Sequence, residues 1–203
     1  MNIRRAQVTR KTAETELSAD WNLDGRGDSE IATGLPFFDH MLTLFARHSL
    51  TDLRLSAKGD LHVDSHHTVE DTGIVLGQAL TQALGDKSGL TRYGHFFMPM
   101  DETLCRVVLD LSGRPFLRYE LPDSITPHLH EAMGGHFPLQ LLEEFLRALT
   151  VHGGITLHLA VLYSRDLHHA AEAIFKGLAR ALEMALRRDP RVLGVPSSKG
   201  TLV

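Results

Sequence analysis

A histidine-led pattern that occurs twice constrains this chain most. His66-His67-Thr68-Val69-Glu70 returns half a chain later as His168-His169-Ala170-Ala171-Glu172. Each copy opens a stretch of helical periodicity, with Val69, Ile74, Val75, Leu80 and Leu84 apolar in the first and an amphipathic run to Arg188, ended by Asp189-Pro190, in the second. Asp39-His40-Met41-Leu42 precedes its pair by nearly the same interval as Glu143-Glu144-Phe145-Leu146 precedes its own. The intervening segments follow one order in both halves. Residues 4–23 read as two strands before a turn at Asp24-Gly25-Arg26-Gly27, residues 37–48 as a helix and residues 52–59 as a strand; then Thr103–Leu111 and Pro115–Leu121 read as strands, Leu139–Val151 as a helix and Ile155–Tyr163 as a strand. A unit of strand, strand, helix, strand, helix written twice predicts an α+β fold with two related halves, 1–95 and 96–203. They should pack about a pseudo-twofold axis as one compact domain, with helices against one face of each sheet.

Composition narrows the function classes. Lys plus Arg number 21 against 25 Asp plus Glu, a net charge of -4, which argues against non-specific nucleic-acid binding. No apolar run approaches a membrane span and the N-terminus has no apolar signal core, so neither a membrane nor a nucleic acid is an expected partner. The single cysteine, Cys105, has no intrachain disulfide partner and suits a reducing cytoplasm.

Histidine is the compositional outlier, 13 in 203 residues. Chance alone gives about 0.04 copies of the five-residue motif in such a chain. On a helix His66 and Glu70 share a face, whereas the His67 ring points roughly 100° away. One motif therefore offers two ligands to one metal and a third in another direction. His66, His67, Glu70, His168, His169 and Glu172, with His40 and its repeat partner Glu144, make eight donors. Eight suit two six-coordinate ions with two open positions each, unlike a closed, cysteine-rich structural zinc site. Imidazole with carboxylate accepts several divalent metals, and six-coordination with hard oxygen leans toward manganese. His62, His152 and His158, on or beside strands, read equally as core or surface residues and as ligands, whereas His95, His128, His130 and His136, in Gly- or Pro-containing loops, carry less weight.

Thr33-Gly34-Leu35-Pro36-Phe37-Phe38-Asp39-His40-Met41-Leu42, both histidine motifs, Leu111-Ser112-Gly113-Arg114-Pro115 and Pro196-Ser197-Ser198-Lys199-Gly200 together resemble the imidazoleglycerol-phosphate dehydratase family of histidine biosynthesis, from about Arg4 to the C-terminus. The resemblance implies the single-function form. Its reaction takes D-erythro-imidazole glycerol phosphate to imidazole acetol phosphate and water, through an imidazolate held by two manganese ions per active site and a diazafulvene-like intermediate. It assigns the eight donors above as metal ligands, with His136 an alternative to Glu144. It implies trimers with metal sites between subunits, assembled into a shell of about 24 copies. Glu14 matches the family's catalytic glutamate, with Glu16 its rival by strand parity. His48 matches a pocket position that handles the departing hydroxyl, and Asp101 is a candidate for polar support. Arg92, Arg114 and Lys199, with Ser197 and Ser198, match phosphate-binding positions, arginine gripping phosphate in bidentate fashion. Residues 193–203 are expected to order over bound substrate.

Two other readings remain. A di-metal hydrolase would explain the ligands but not a phosphate grip remote from them. A non-catalytic, metal-holding assembly protein would leave Glu14, Arg92 and Arg114 without a role.

Overall fold

A computed structural model describes residues 3–133 and 137–202. The first half runs β1 (Arg5–Lys11), β2 (Thr15–Asn22), β3 (Ser29–Ala32), α1 (Pro36–Ser49), β4 (Asp52–Gly59) and α2 (His66–Leu84); the second runs β5 (Tyr93–Met100), β6 (Thr103–Asp110), β7 (Phe116–Glu120), a two-stranded hairpin of β8 (Ala132–Met133) and β9 (Phe137–Pro138), α3 (Leu141–Gly153), β10 (Thr156–Tyr163) and α4 (Leu167–Leu186). The sheets have strand orders β1-β2-β4-β3 and β5-β6-β10-β7. Each has two antiparallel pairings followed by one parallel pairing. The duplication read from the histidine motifs is thus a duplication of topology.

Besides the short β8–β9 pair of the second half, each four-stranded sheet contains one strand more than the sequence pattern predicts. In the first half this is β3, four residues at a sheet edge with no buried side chain, so no alternation marks it. In the second it is β5, whose Tyr-Gly-His-Phe-Phe-Met-Pro-Met sequence hides its period behind a glycine and a proline. Pro99 is tolerated because β5 is also an edge strand.

The inner strand faces carry the apolar alternation: Leu17, Ala19 and Trp21 on β2, Leu53 and Leu55 on β4, Cys105, Val107 and Leu109 on β6, Leu157, Leu159 and Val161 on β10, all buried. The helices cover these faces and meet between them, α2 against α3 and α1 against α4. Phe38, Phe145 and Phe175, from α1, α3 and α4, pack ring against ring there, with centroids 5.4–6.3 Å apart. One apolar cluster therefore joins both halves. Among the described residues no helix is long and apolar enough to cross a membrane.

Close helix approach depends on two glycines. A Cβ at Gly73 would lie 2.6 Å from the Phe145 carbonyl oxygen, so only glycine lets α2 and α3 cross this closely. A Cβ at Gly94 would overlap the Ala181 carbonyl, where α4 lies on β5. Gly94→Ala is expected to cost about 3 kcal/mol, the upper end of ordinary overpacking, read as a lowered urea midpoint.

Candidate active site

The two histidine pairs occupy equivalent places. Each lies in the first turn of a helix that follows the last strand of its sheet, and a nearby carboxylate accepts from a backbone amide at each start, as the N-cap in α4 and from one residue before the N-cap in α2. Asp64 accepts from the His66 amide at 2.8 Å, and Asp166 from the His169 amide at 2.9 Å. Within each pair the rings stand nearly perpendicular, at 85° with centroids 6.0 Å apart for His66 and His67 and at 89° and 6.2 Å for His168 and His169. The i,i+4 carboxylates lie alongside the first ring of each pair. His66 Nε2 is 3.8 Å from Glu70 Oε2, and His168 Nε2 is 3.3 Å from Glu172 Oε2.

His40, on α1, brings its Nε2 to 4.0 Å from Glu172 Oε2, and Phe37 packs edge-on against His168 at 5.3 Å. Glu144 sits half-buried in the first turn of α3, at the place His40 holds in α1. Those helices end alike: Leu50 and Gly154 are both left-handed caps, at φ 56° and 59°. His136 lies outside the described residues. Ligands at about 2.1 Å in octahedral array stand about 3 Å apart, so imidazole and carboxylate donors 3.3–4.0 Å apart fit a divalent ion with small shifts. Even so, among the described residues of one chain no group of three or more His, Cys, Asp or Glu forms a metal-holding cluster. His67 and His169 point away from Glu70 and Glu172, His67 toward Asp60 and Glu14 and His169 toward Glu102 and Asp101.

Glu14 occupies the tip of the β1–β2 turn. The Thr12 hydroxyl accepts from the Glu14 and Thr15 amides at 3.1 and 2.9 Å, and Asp71 beneath takes hydrogen bonds from Thr15 and Arg10. The turn so held puts a Glu14 oxygen 3.8 Å from His67 Nδ1. Glu16 instead lies exposed and paired with Lys11 at 2.8 Å, which holds its carboxyl below the usual range. Asp101, at φ 48°, brings Oδ2 to 3.9 Å from His169 Nε2.

Sequence reasoning missed three groups. Lys176, at the i+8 position from His168 on the same face, donates a short hydrogen bond to Glu172. Burial pushes the Glu172 carboxyl up, but the bond and charge of Lys176 and the bond from His168 outweigh it and hold the group below its ordinary value. Partial burial and the cations Lys176 and Arg180 depress His48, against an opposing pull from Glu172. The others are Asp60 and Glu102, the carboxylate partners of His67 and His169. These bonds raise both histidines, and the His169 bond with its own amide brings Glu102 down to about 2. Helical spacing could have found Lys176; no local spacing joins Asp60 or Glu102 to a histidine.

The phosphate candidates gather elsewhere. Arg92, buried at φ 72°, donates Nε and Nη2 to Asp110 at 2.7 and 2.9 Å and Nη1 to the Pro196 carbonyl at 2.8 Å. Arg114 is exposed, with Nη2 4.0 Å from the same Asp110. The Arg92–Pro196 bond, with the Gly89 amide donating to Gly194 at 2.8 Å, docks the tail that carries Ser197, Ser198 and Lys199 beside both arginines. This cluster lies at the end of β6, whereas Glu102 and His169 lie at its start. Eight residues of strand span about 26 Å. Helix α4 gives a matching measure, for Arg92 bonds to Ala185 near its C-terminus and His169 sits in its first turn.

The chain matches known proteins over nearly its full length. The family model for imidazoleglycerol-phosphate dehydratase matches residues 33–182. Relatives of that name from Clavibacter michiganensis and Symbiobacterium thermophilum are 54% and 55% identical, covering 98% of this chain and 98% and 93% of their own. The crystal structure of imidazoleglycerol-phosphate dehydratase from Staphylococcus aureus aligns with a TM-score of 0.79 at 40% identity, over 91% of this chain and 99% of that one. That of the Pyrococcus furiosus protein aligns at 0.78 and 36%, over 96% and 100%. With sequence, fold and histidine arrangement in agreement, the chain belongs to the imidazoleglycerol-phosphate dehydratase family of histidine biosynthesis.

Proposed function

We propose that this chain removes water from D-erythro-imidazole glycerol phosphate to give imidazole acetol phosphate, with two Mn2+ ions per active site and a diazafulvene-like intermediate of the substrate, in the cytoplasm. The carrying observation is the pair of His-His-x-x-Glu helix starts with matching ring geometry, beside a carboxylate, Glu14, that has no hydrogen bond to its neighbouring histidine.

His40, His66, His67, Glu70, Glu144, His168, His169 and Glu172 would hold the ions. When bound, the ions withdraw electron density from the imidazole ring, which eases departure of the hydroxyl on the adjacent carbon. Glu14 takes the proton from the next carbon. The resulting enol becomes the ketone. His48, kept neutral by its partly buried and cationic surroundings, lines the pocket where hydroxide leaves and donates its ring N–H to the departing oxygen. Arg92, Arg114, Ser197, Ser198 and Lys199 fix the phosphate.

Two observations support an active site shared between subunits, in trimers assembled to about 24 copies. Among the described residues the histidines of one chain form no closed cluster, and the candidate phosphate-binding residues lie about 26 Å from His169 along β6, beyond the reach of a three-carbon phosphate. A neighbouring copy would supply the complement. The outer face of the second sheet also exposes Tyr93, Phe97, Val108 and Phe116, an apolar surface suited to a subunit contact.

Incubating the purified protein with imidazole glycerol phosphate, with and without Mn(II), tests the reading. Ketone appearing only with metal supports it; phosphate release indicates a hydrolase; no turnover indicates a metal-holding assembly protein. Arg114→Ala is expected to raise KM about tenfold or more with kcat little changed, because a phosphate contact binds ground and transition states alike. A matching fall in kcat instead would give Arg114 a role in the chemical step.

A further inference from the structure

The two halves hold their second histidine by different, repeat-unrelated residues. Asp60, just past β4, corresponds to Ser164, just past β10; Glu14, immediately before β2, corresponds to Glu102, immediately before β6. In the second half the Glu102 carboxylate accepts from His169 Nδ1 at 2.8 Å. Its other oxygen accepts from the Thr103 hydroxyl at 3.1 Å and the Arg165 amide at 3.4 Å. Ser164 is turned elsewhere, its hydroxyl donating to the Asp166 carbonyl at 2.9 Å. In the first half the aspartate takes over. Asp60 accepts from His67 Nδ1 at 3.1 and 3.2 Å, and Glu14 stands 3.8 Å from the same nitrogen.

We propose that Asp60 and Glu102 are positioning residues. Each takes the Nδ1 hydrogen of its histidine, fixing the ring so that Nε2 faces a metal ion. Asp60 has a second consequence. By filling the place that its repeat partner Ser164 leaves open, it occupies the hydrogen that Glu14 would otherwise accept, as Glu102 does. The corresponding turns of the two halves thereby carry one committed glutamate and one uncommitted glutamate. An imidazole whose second nitrogen is bonded to a carboxylate is both oriented and a stronger ligand, and loss of such a partner lowers metal affinity about 10- to 100-fold. This inference rests on the dehydratase reading above.

The test is Mn(II) affinity of the purified assembled protein, titrated by the electron paramagnetic resonance signal of free Mn(II). Asp60→Ala and Glu102→Ala should each weaken binding about 10- to 100-fold. Asp60→Asn and Glu102→Gln, which keep an oxygen acceptor, should recover most of it; a purely structural role for the charge would not give that rescue. Affinity unchanged in both alanine variants overturns the positioning role. For the freed glutamate, Glu14→Ala alone should leave Mn(II) affinity unchanged, yet lower it further in an Asp60→Ser background, where Glu14 can swing onto His67. Additive effects with no such coupling overturn that part. A wild-type protein that binds no Mn(II) or fails to dehydrate the imidazole phosphate sinks the dehydratase reading itself. Wild-type behaviour in every variant sinks this inference alone.

Discussion

Glu14→Gln is expected to cut turnover of imidazole glycerol phosphate by about 10²–10⁴-fold, the usual contribution of a positioned general base, while Mn(II) content and assembly stay as they are. The substitution preserves size and hydrogen bonding but removes basicity. The turn should survive it, because its shape is set by the Thr12 hydroxyl and by the Asp71 contacts beneath, none of which uses the Glu14 side chain. Glu14 also lies 3.8 Å from His67 without a hydrogen bond to it, so the histidine loses no hydrogen-bond partner. Single-turnover rates measured beside metal content by elemental analysis decide the matter. Release of metal from the variant would make Glu14 a ligand and leave the base unassigned. The corresponding change at Glu16, paired with Lys11 on the outer face of the sheet, should leave turnover near the wild-type rate.

Stripping the metal should have the other large effect. Turnover is expected to fall at least about a thousandfold on chelation and to return with Mn(II), since charge stabilisation by bound cations is worth several kcal/mol in the transition state. The assembly should loosen in the same experiment. On the proposed reading, donors that close no cluster among the described residues of one chain would meet across subunits, and the ions would act as cross-links. Sedimentation velocity with and without chelator reads this directly. A particle of unchanged size that has lost its metal would mean that the apolar outer face of the second sheet suffices to hold the subunits.

Much of the fold is legible in the residue order. The helix starts at the two histidine pairs, the buried alternation of β2, β4, β6 and β10 and the common unit of the two halves all follow from local periodicity. The edge strands β3 and β5 are not legible, because an edge needs no buried face and tolerates Pro99. At the candidate site the pairing of His168 with Glu172 is a matter of helical pitch and can be read from spacing. The contact of His40 with Glu172 depends on α1 packing against α4, which only the repeat hints at.

The residue order by itself determined which side chains are available as ligands, which of them share a helix face, and that the set occurs twice, because covalent spacing and the 3.6-residue period act over a single turn. Only the tertiary structure decided that Asp60 rather than Glu14 bonds His67, that Glu102 rather than Ser164 bonds His169, and that Arg92 and Arg114, proposed to hold phosphate, lie a full strand length from His169 of the same chain. Those relations are set by strand register and helix packing. Both are determined by burial of distant apolar faces, so neighbours along the chain carry no record of them.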